Sequence, residues 1–348
     1  MVQRCFPIPG LLDSLKAGSL VLKNRIVMAP MHVEKPTKDG LVTEELVKHY
    51  VDRANNLGLQ IVEATTISET SRWHHFLSID SDRFIPGLEK LVKRVHQAET
   101  LIALQLIHFG GISKKEVGLC NPMAPSSIRI PGTPGIHSDN EIPKAMTVED
   151  IEGVVEDFSM ASRRACEAGF DSVEIHGAHG VLFSQFLSPL TNKRDDEYGG
   201  SLENRVRLSV RVVRCIRKEL GASYPILYRL GAEDMLPGGL TLDEGVRAAK
   251  MIVDAGADII DVSGGLVGHL HPDDKGPGFF VPQAAAVKKA VDVPVIGVGG
   301  IKTPEEADEI IRSGRVDLVA VGMAILRDPK WASKAIDALA DKTKTAFS

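Results

Sequence analysis

A closed, eight-stranded parallel barrel of the (β/α)8 TIM type is the fold this sequence predicts, and three observations lead to it. Eight short runs recur along the chain, almost continuously apolar, as strands covered on both faces are. Stretches with helical spacing separate them, and a parallel strand needs such a crossover before the next can pair. No linker or shift in composition divides the 348 residues, and barrels of this type routinely exceed about 250 residues as one α/β unit.

The expected strands are RIVMAP (25–30), LQIVEATT (59–66), LIALQLIHFG (101–110), FDSVEIHG (170–177), PILYRLGA (225–232), DIIDVSGG (258–265), PVIGVGG (294–300) and VDLVAVGMA (316–324). Helical stretches between them include TEELVKHYVDRANN, VEDIEGVVEDFSMASRRACEAG, SLENRVRLSVRVVRCIRKELG and PEEADEIIRSG. Thr43, Thr147 and Ser201 stand where N-caps belong, and Pro304 where a first turn tolerates proline. One domain, 1–348, is expected, with residues 1–24 capping the closed end. The Pro- and Gly-rich segments 120–145 and 265–282 are too long for ordinary turns and read as active-site loops after strands three and six.

Hydrophobic residues make up 43% of the chain and charged residues 25%, as in ordinary globular proteins. A net charge of −5 with dispersed Lys and Arg argues against a nucleic-acid partner or an anionic membrane surface. Cys5, Cys120, Cys166 and Cys215 lie far apart, so neither a zinc knuckle nor an iron–sulfur cluster is expected, and free thiols fit a reducing compartment. The N-terminal segment lacks the apolar core of a signal peptide, and no run approaches the roughly 20 apolar residues of a membrane span. A cytoplasmic protein is expected.

In such a barrel, polar residues at the C-terminal strand ends face the active site. Those ends supply Pro30, Met31 and His32 from strand one, Glu63, Ala64 and Thr65 from strand two, and Gln105 and His108 from strand three. Strand four contributes His176 and His179, strand five Arg229, strand six Asp261 and Ser263. Strands seven and eight end in Gly299-Gly300 and Gly322-Met323. Glycines there are either turn residues or a site where backbone N–H groups approach a phosphate, helped by the following helix N-terminus. Gln105 and Arg229 lie on buried strands, where a charge needs a partner, and a polar cofactor in the barrel mouth would supply one. His176 and His179 could hold a metal, move a proton or hold a substrate. No nearby carboxylate completes a ligand set, and no metal is expected.

The stretch HGAHGVLFSQFLSPLTNKRDDEYGGSLENRVRL (176–208) closely resembles the signature of the old yellow enzyme family of FMN-dependent oxidoreductases. NRIVMAPM (24–31), VEATTI (62–67), GVGGI (297–301) and VGMAILRDP (321–329) match the family's other landmarks in order, so the resemblance covers essentially the whole barrel. It implies FMN as cofactor and NADH or NADPH as electron donor. Pro30, Met31 and Ala64 would line the flavin, Gln105 would bond its pyrimidine edge, and Arg229 would lie near N1, where reduced flavin carries negative charge. Gly299, Gly300 and Gly322, with Met323 beside them, would hold the phosphate.

The same resemblance gives His176 and His179 the task of donating hydrogen bonds to a substrate carbonyl, nitro or phenol-like oxygen. Hydride would pass to a small electrophilic acceptor: an activated C=C, a quinone or a nitro compound. Three residues depart from the family pattern. Val181 stands where a tyrosine usually protonates the substrate carbon. His32 stands where Cys or Thr is common, so it either tunes the flavin or replaces the missing acid. Met323 stands where an arginine usually binds the phosphate, a loss that Lys302 would partly offset. Larger relatives carry iron–sulfur and nucleotide-binding extensions; this chain is expected to work without them, as a homo-oligomer fed by soluble nicotinamide or a partner protein. Oxidation, demethylation or double-bond isomerisation on the same flavin, and a flavin- or ligand-binding protein with little turnover, are the alternatives. A flavin-free phosphate-binding lyase is a further one.

Overall fold

The computed structural model describes residues 8–112, 121–131, 141–273 and 276–345, with side chains up to 340. Eight parallel strands form the barrel: Ile26–Met28, Leu59–Thr66, Leu101–Ile107, Ser172–Gly177, Ile226–Gly231, Ile259–Ser263, Val295–Val298 and Leu318–Val321. Each pairs with the next, and the eighth returns to the first through Val319↔Ile26 and Val321↔Met28, which closes the barrel. Closure leaves the eight barrel strands themselves without a free edge. The TIM barrel expected from the alternation of apolar runs and helical stretches is the fold found.

Strand two carries one irregularity that bears on the site. Its pairing with strand three shifts between Val62 and Thr65. The two residues inside the shift, Glu63 and Ala64, are thereby turned out of the regular alternation, as bulges do. The Glu63 N–H donates instead to the Tyr50 hydroxyl, at 2.8 Å.

Local capping explains where the crossover helices begin. Thr43 caps helix α1 (Glu44–Ala54) by accepting from the Leu46 N–H. Thr147 and Asp150 form a reciprocal capping box at α3 (Val148–Glu167), and Ser201 caps α5 (Leu202–Arg205). The single helix expected over 201–221 is interrupted at Val206, which ends α5 and precedes α6 (Arg207–Leu220). Strand eight stops at Val321 rather than Ala324, because Met323 opens the short helix α10 (Met323–Arg327).

An N-terminal hairpin, Leu15–Ala17 with Leu20–Leu22, buries Ala17, Leu20 and Leu22 against Leu59, Leu227, Ile259 and Leu318 near the first residues of the strands. The opposite, C-terminal end is therefore left as the mouth. Residues 132–140 and 274–275 of the two expected loops lie outside the described residues, as do Cys5 and Cys120. Cys166 and Cys215 are free thiols.

Candidate active site at the barrel mouth

The strand-four turn fixes both histidines. His176 is the penultimate residue of the barrel strand, buried, and its Nδ1 accepts from the Ala178 N–H at 3.3 Å. That bond selects the tautomer with the proton on Nε2, so His176 is a donor at its far nitrogen. Burial, with the Arg229 charge adding to it, holds its pKa well below the usual imidazole value, so it stays neutral. His179 takes a left-handed backbone (φ 57°), secured by its N–H to the Gly264 carbonyl. This uncommon conformation for a non-glycine residue aims the ring at Ser263, with Nε2 2.7 Å from Oγ. The two rings meet edge to face, centroids 5.0 Å apart. Gln185 anchors the turn: its amide donates to the Gly180 and Phe109 carbonyls, and its oxygen accepts from the Gly111 N–H.

Beside them lies a buried polar layer. Strand register sets Arg229 opposite both His176 and Asp261, and Gln105 opposite Glu174. The sequence left Gln105 and Arg229 in want of a partner from a cofactor; the fold supplies protein partners. Gln105 Nε2 donates to Glu174 at 2.6 Å, and Arg229 Nε lies 3.2 Å from Asp261 Oδ2. The latter is an ion pair without hydrogen-bond alignment: Arg229 Nε and both Asp261 oxygens have no hydrogen-bond partner. Burial pushes both carboxyls above their ordinary range; Asp261 opposes ionisation of Glu174, and Arg229 favours it in both. Glu174 is the residue that reading strand ends missed, since it sits two positions before His176.

The glycines after strands seven and eight behave differently from one another. Gly299 and Gly300 have φ of 115° and 61°. A Cβ on Gly299 would meet the Phe279 ring at 2.5 Å, so that ring also requires glycine there. At the start of helix α9 (Pro304–Arg312), Thr303 and Glu306 form a capping box, and Glu306 also accepts from the Lys302 N–H. Gly322, in contrast, precedes α10 with no side-chain cap, and Met31 Sδ lies 3.0 Å from where its Cβ would be. Met323 is 49% exposed.

An aromatic wall closes the other side. His32 stacks on Phe76 with centroids 3.7 Å apart and planes at 4°, and its Nδ1 lies 2.7 Å from Glu63 Oε2. Trp73 stacks on Phe109 at 4.3 Å, and Phe76 stands edge-on to both. Val181, only 3% exposed, packs in one apolar cluster with Phe109, Ile112 and Leu266, against which Ala64 and Trp73 rest. Trp73 lies outside every expected strand, and Phe109, though at the end of strand three, is apolar and was not among the polar strand-end residues. His108 is buried with its pKa driven down to about 4 by that burial, and it accepts from the Gly110 N–H.

The closed barrel brings a neutral histidine donor, a buried arginine and glycine-lined strand ends to one mouth, an arrangement that suits an anionic, polar cofactor. The family model for the NADH:flavin oxidoreductase / NADH oxidase family matches residues 11–342, and the chain belongs to that family, the old yellow enzymes. It is 41% identical to an NADPH dehydrogenase of Geobacillus thermodenitrificans over 90% of this chain and 89% of that protein. It is 37% identical to an NADH oxidase of Thermoanaerobacter brockii over 98% of this chain, which spans about half (52%) of that longer protein. A solved old yellow enzyme homologue from Zymomonas mobilis superposes with a TM-score of 0.82 at 28% identity, covering 95% of this chain and 93% of that one. Among the described residues, no helix is long and apolar enough to cross a membrane, and no group of His, Cys, Asp and Glu could hold a metal.

Proposed function

We propose that the protein is an FMN-dependent oxidoreductase that takes hydride from NADH or NADPH and delivers it to a small electrophilic acceptor. The observation that carries this reading is the buried Arg229, under-satisfied between Asp261 and His176 at the barrel mouth. A cation placed there stabilises negative charge developing on a bound group. The residues present fit FMN: Pro30, Met31 and Ala64 would line the ring, Gln105 and Arg229 would meet its polar edge, and Gly299, Gly300 and Gly322 would receive the phosphate. Bound FMN would supply a hydride carrier whose reduced form Arg229 favours. His176, held neutral with its donor on Nε2, binds and polarises an acceptor oxygen, while His179 is held in place by Ser263. The apolar wall of Trp73, Phe109 and Val181 excludes water from the acceptor. Anaerobic turnover with NADPH of a 2-enone, a quinone and a nitroarene, with product analysis, tests this; no reduced product from any of the three would refute it.

Two substitutions follow from the site. Met323 is exposed at the start of α10, so Met323→Arg adds a cation without disturbing the core. The expected result is slower loss of FMN, read as a lower dissociation constant; an unchanged constant would remove the phosphate from this helix. Val181→Tyr is a larger intervention, because Val181 fills an apolar cluster. Overpacking should cost about 1–3 kcal/mol of stability, seen as a lower Tm. If Val181 marks a lost proton donor, the same variant should speed enone reduction and leave nicotinamide-driven reduction of bound flavin unchanged.

A further inference from the structure

With valine at 181, the mouth contains no tyrosine acid at the strand-four turn, yet one imidazole is built into it with more support than any surface histidine needs. His32 lies face to face on Phe76 and binds Glu63 through Nδ1. Glu63 is fully buried, whereas the His32 side chain is 28% exposed. With Nδ1 held by the carboxylate, Nε2 is the ring nitrogen left to act. Among the described residues, Nε2 has no hydrogen-bond partner.

The backbone is shaped to hold the carboxylate there. The register shift in strand two takes Glu63 out of the ladder, and the N–H so released goes to the Tyr50 hydroxyl. A second donor, the Val33 N–H, reaches the same Glu63 oxygen at 3.3 Å. The other oxygen, Oε1, is buried without a partner. A buried carboxylate of this kind is costly unless it is paired, and burial does raise the Glu63 pKa while His32 opposes the rise.

We propose that His32 is the proton donor of this site and that Glu63 is its positioning residue, the two replacing the tyrosine that Val181 displaces. This rests on the function proposed above. Hydride addition to an activated C=C places an electron pair on the neighbouring carbon. The Nε2–H bond of the imidazolium breaks and a C–H bond forms with that pair. The imidazole is left neutral, its Nδ1–H still donated to the Glu63 carboxylate, and water at the exposed edge restores the proton. Glu63 holds the ring by Nδ1 and so leaves Nε2 toward the acceptor, the task of a carboxylate behind a catalytic imidazole.

The test uses FMN-loaded protein, reduced anaerobically, and mixes it with either 2-cyclohexen-1-one or ferricyanide. The enone needs a proton on carbon; ferricyanide takes electrons alone. Glu63→Gln and His32→Gln should each slow re-oxidation by the enone about tenfold or more, within the range general acids contribute, while the ferricyanide rate stays within about twofold of the parent. Glu63→Asp, which keeps the carboxylate, should recover part of the enone rate. A readout independent of turnover is the 15N spectrum of His32, in which Glu63→Gln should change the tautomer population. Equal loss with both acceptors, an enone rate untouched in either Gln variant, or an unchanged His32 spectrum would each overturn the proposal. Its failure is distinct from that of the flavin reading: in the former, nicotinamide still bleaches the bound flavin; in the latter, it does not.

Discussion

Replacing His176 with alanine is expected to weaken binding of a phenol-like ligand to the FMN-loaded protein by about tenfold or more. The reasoning runs through one nitrogen. The Ala178 N–H occupies Nδ1, so Nε2 carries the proton and is the atom left to donate. Removing a hydrogen bond to a charged oxygen costs about 1.5–3 kcal/mol. His179→Ala should weaken the ligand too, by less than His176→Ala, because its Nε2 already engages Ser263. The long-wavelength band that phenols give over a flavin should be lost in the double variant while FMN stays bound. Titration followed by absorbance checks this, and equal ligand affinity in parent and His176→Ala would place the acceptor oxygen elsewhere.

Arg229→Ala should have the largest effect on the protein as a whole. It removes the cation facing Asp261 and leaves two buried carboxyls, Asp261 and Glu174, on adjoining layers. Breaking a buried pair this way costs about 3–5 kcal/mol. The pH dependence has a definite sign. A carboxyl whose folded pKa is raised by burial weakens the fold as pH climbs from its unfolded value through its folded one, because the folded state resists losing the proton. Both carboxyls are raised already, and Arg229 is what holds them lower. The stability gap between parent and Arg229→Ala should therefore be small near about pH 4 and widen as pH rises to and beyond about 8, where Glu174 ionises in the parent. Thermal melts across that range check it. Where enough variant survives to load FMN, the midpoint potential should fall, since the cation favouring the reduced form is gone; an unmoved potential would make Arg229 a structural ion pair only.

The barrel was legible because its signals are local. Continuous apolar runs mark strands buried on both faces, and Thr43, Thr147 and Ser201 cap their helices as their residue types suggest. The long signature at 176–208 was legible as a pattern, yet much of it is structural. Asn192 donates to the Phe186 and Tyr198 carbonyls, and Arg194 to those of Pro125 and Met146. The Asn192 bonds fold the segment back on itself, and those of Arg194 tie it to the chain at Pro125 and Met146.

What stayed hidden needed three dimensions. Glu174 looks like any strand residue until strand three brings Gln105 beside it. Glu63 could be read as a strand end, but not as a bulged residue bonded to His32, since no spacing rule encodes a register shift. The stack of Trp73 on Phe109 joins residues 36 positions apart in sequence, by the difference of their numbers. The capping after strands seven and eight was hidden for a similar reason: Glu306 accepts the Lys302 and Thr303 N–H groups at the first, and no side chain caps the second.

One measurement bears most directly on the whole account. The purified chain, reconstituted with FMN and freed of oxygen, is titrated with NADPH and then with NADH while its visible spectrum is followed. The expected result is a bound flavin band that bleaches with at least one nucleotide and returns when an electrophilic acceptor is added. A chain that takes up no FMN, or a bound flavin that neither nucleotide bleaches, would contradict the reading of this barrel mouth as a nicotinamide-driven flavin site.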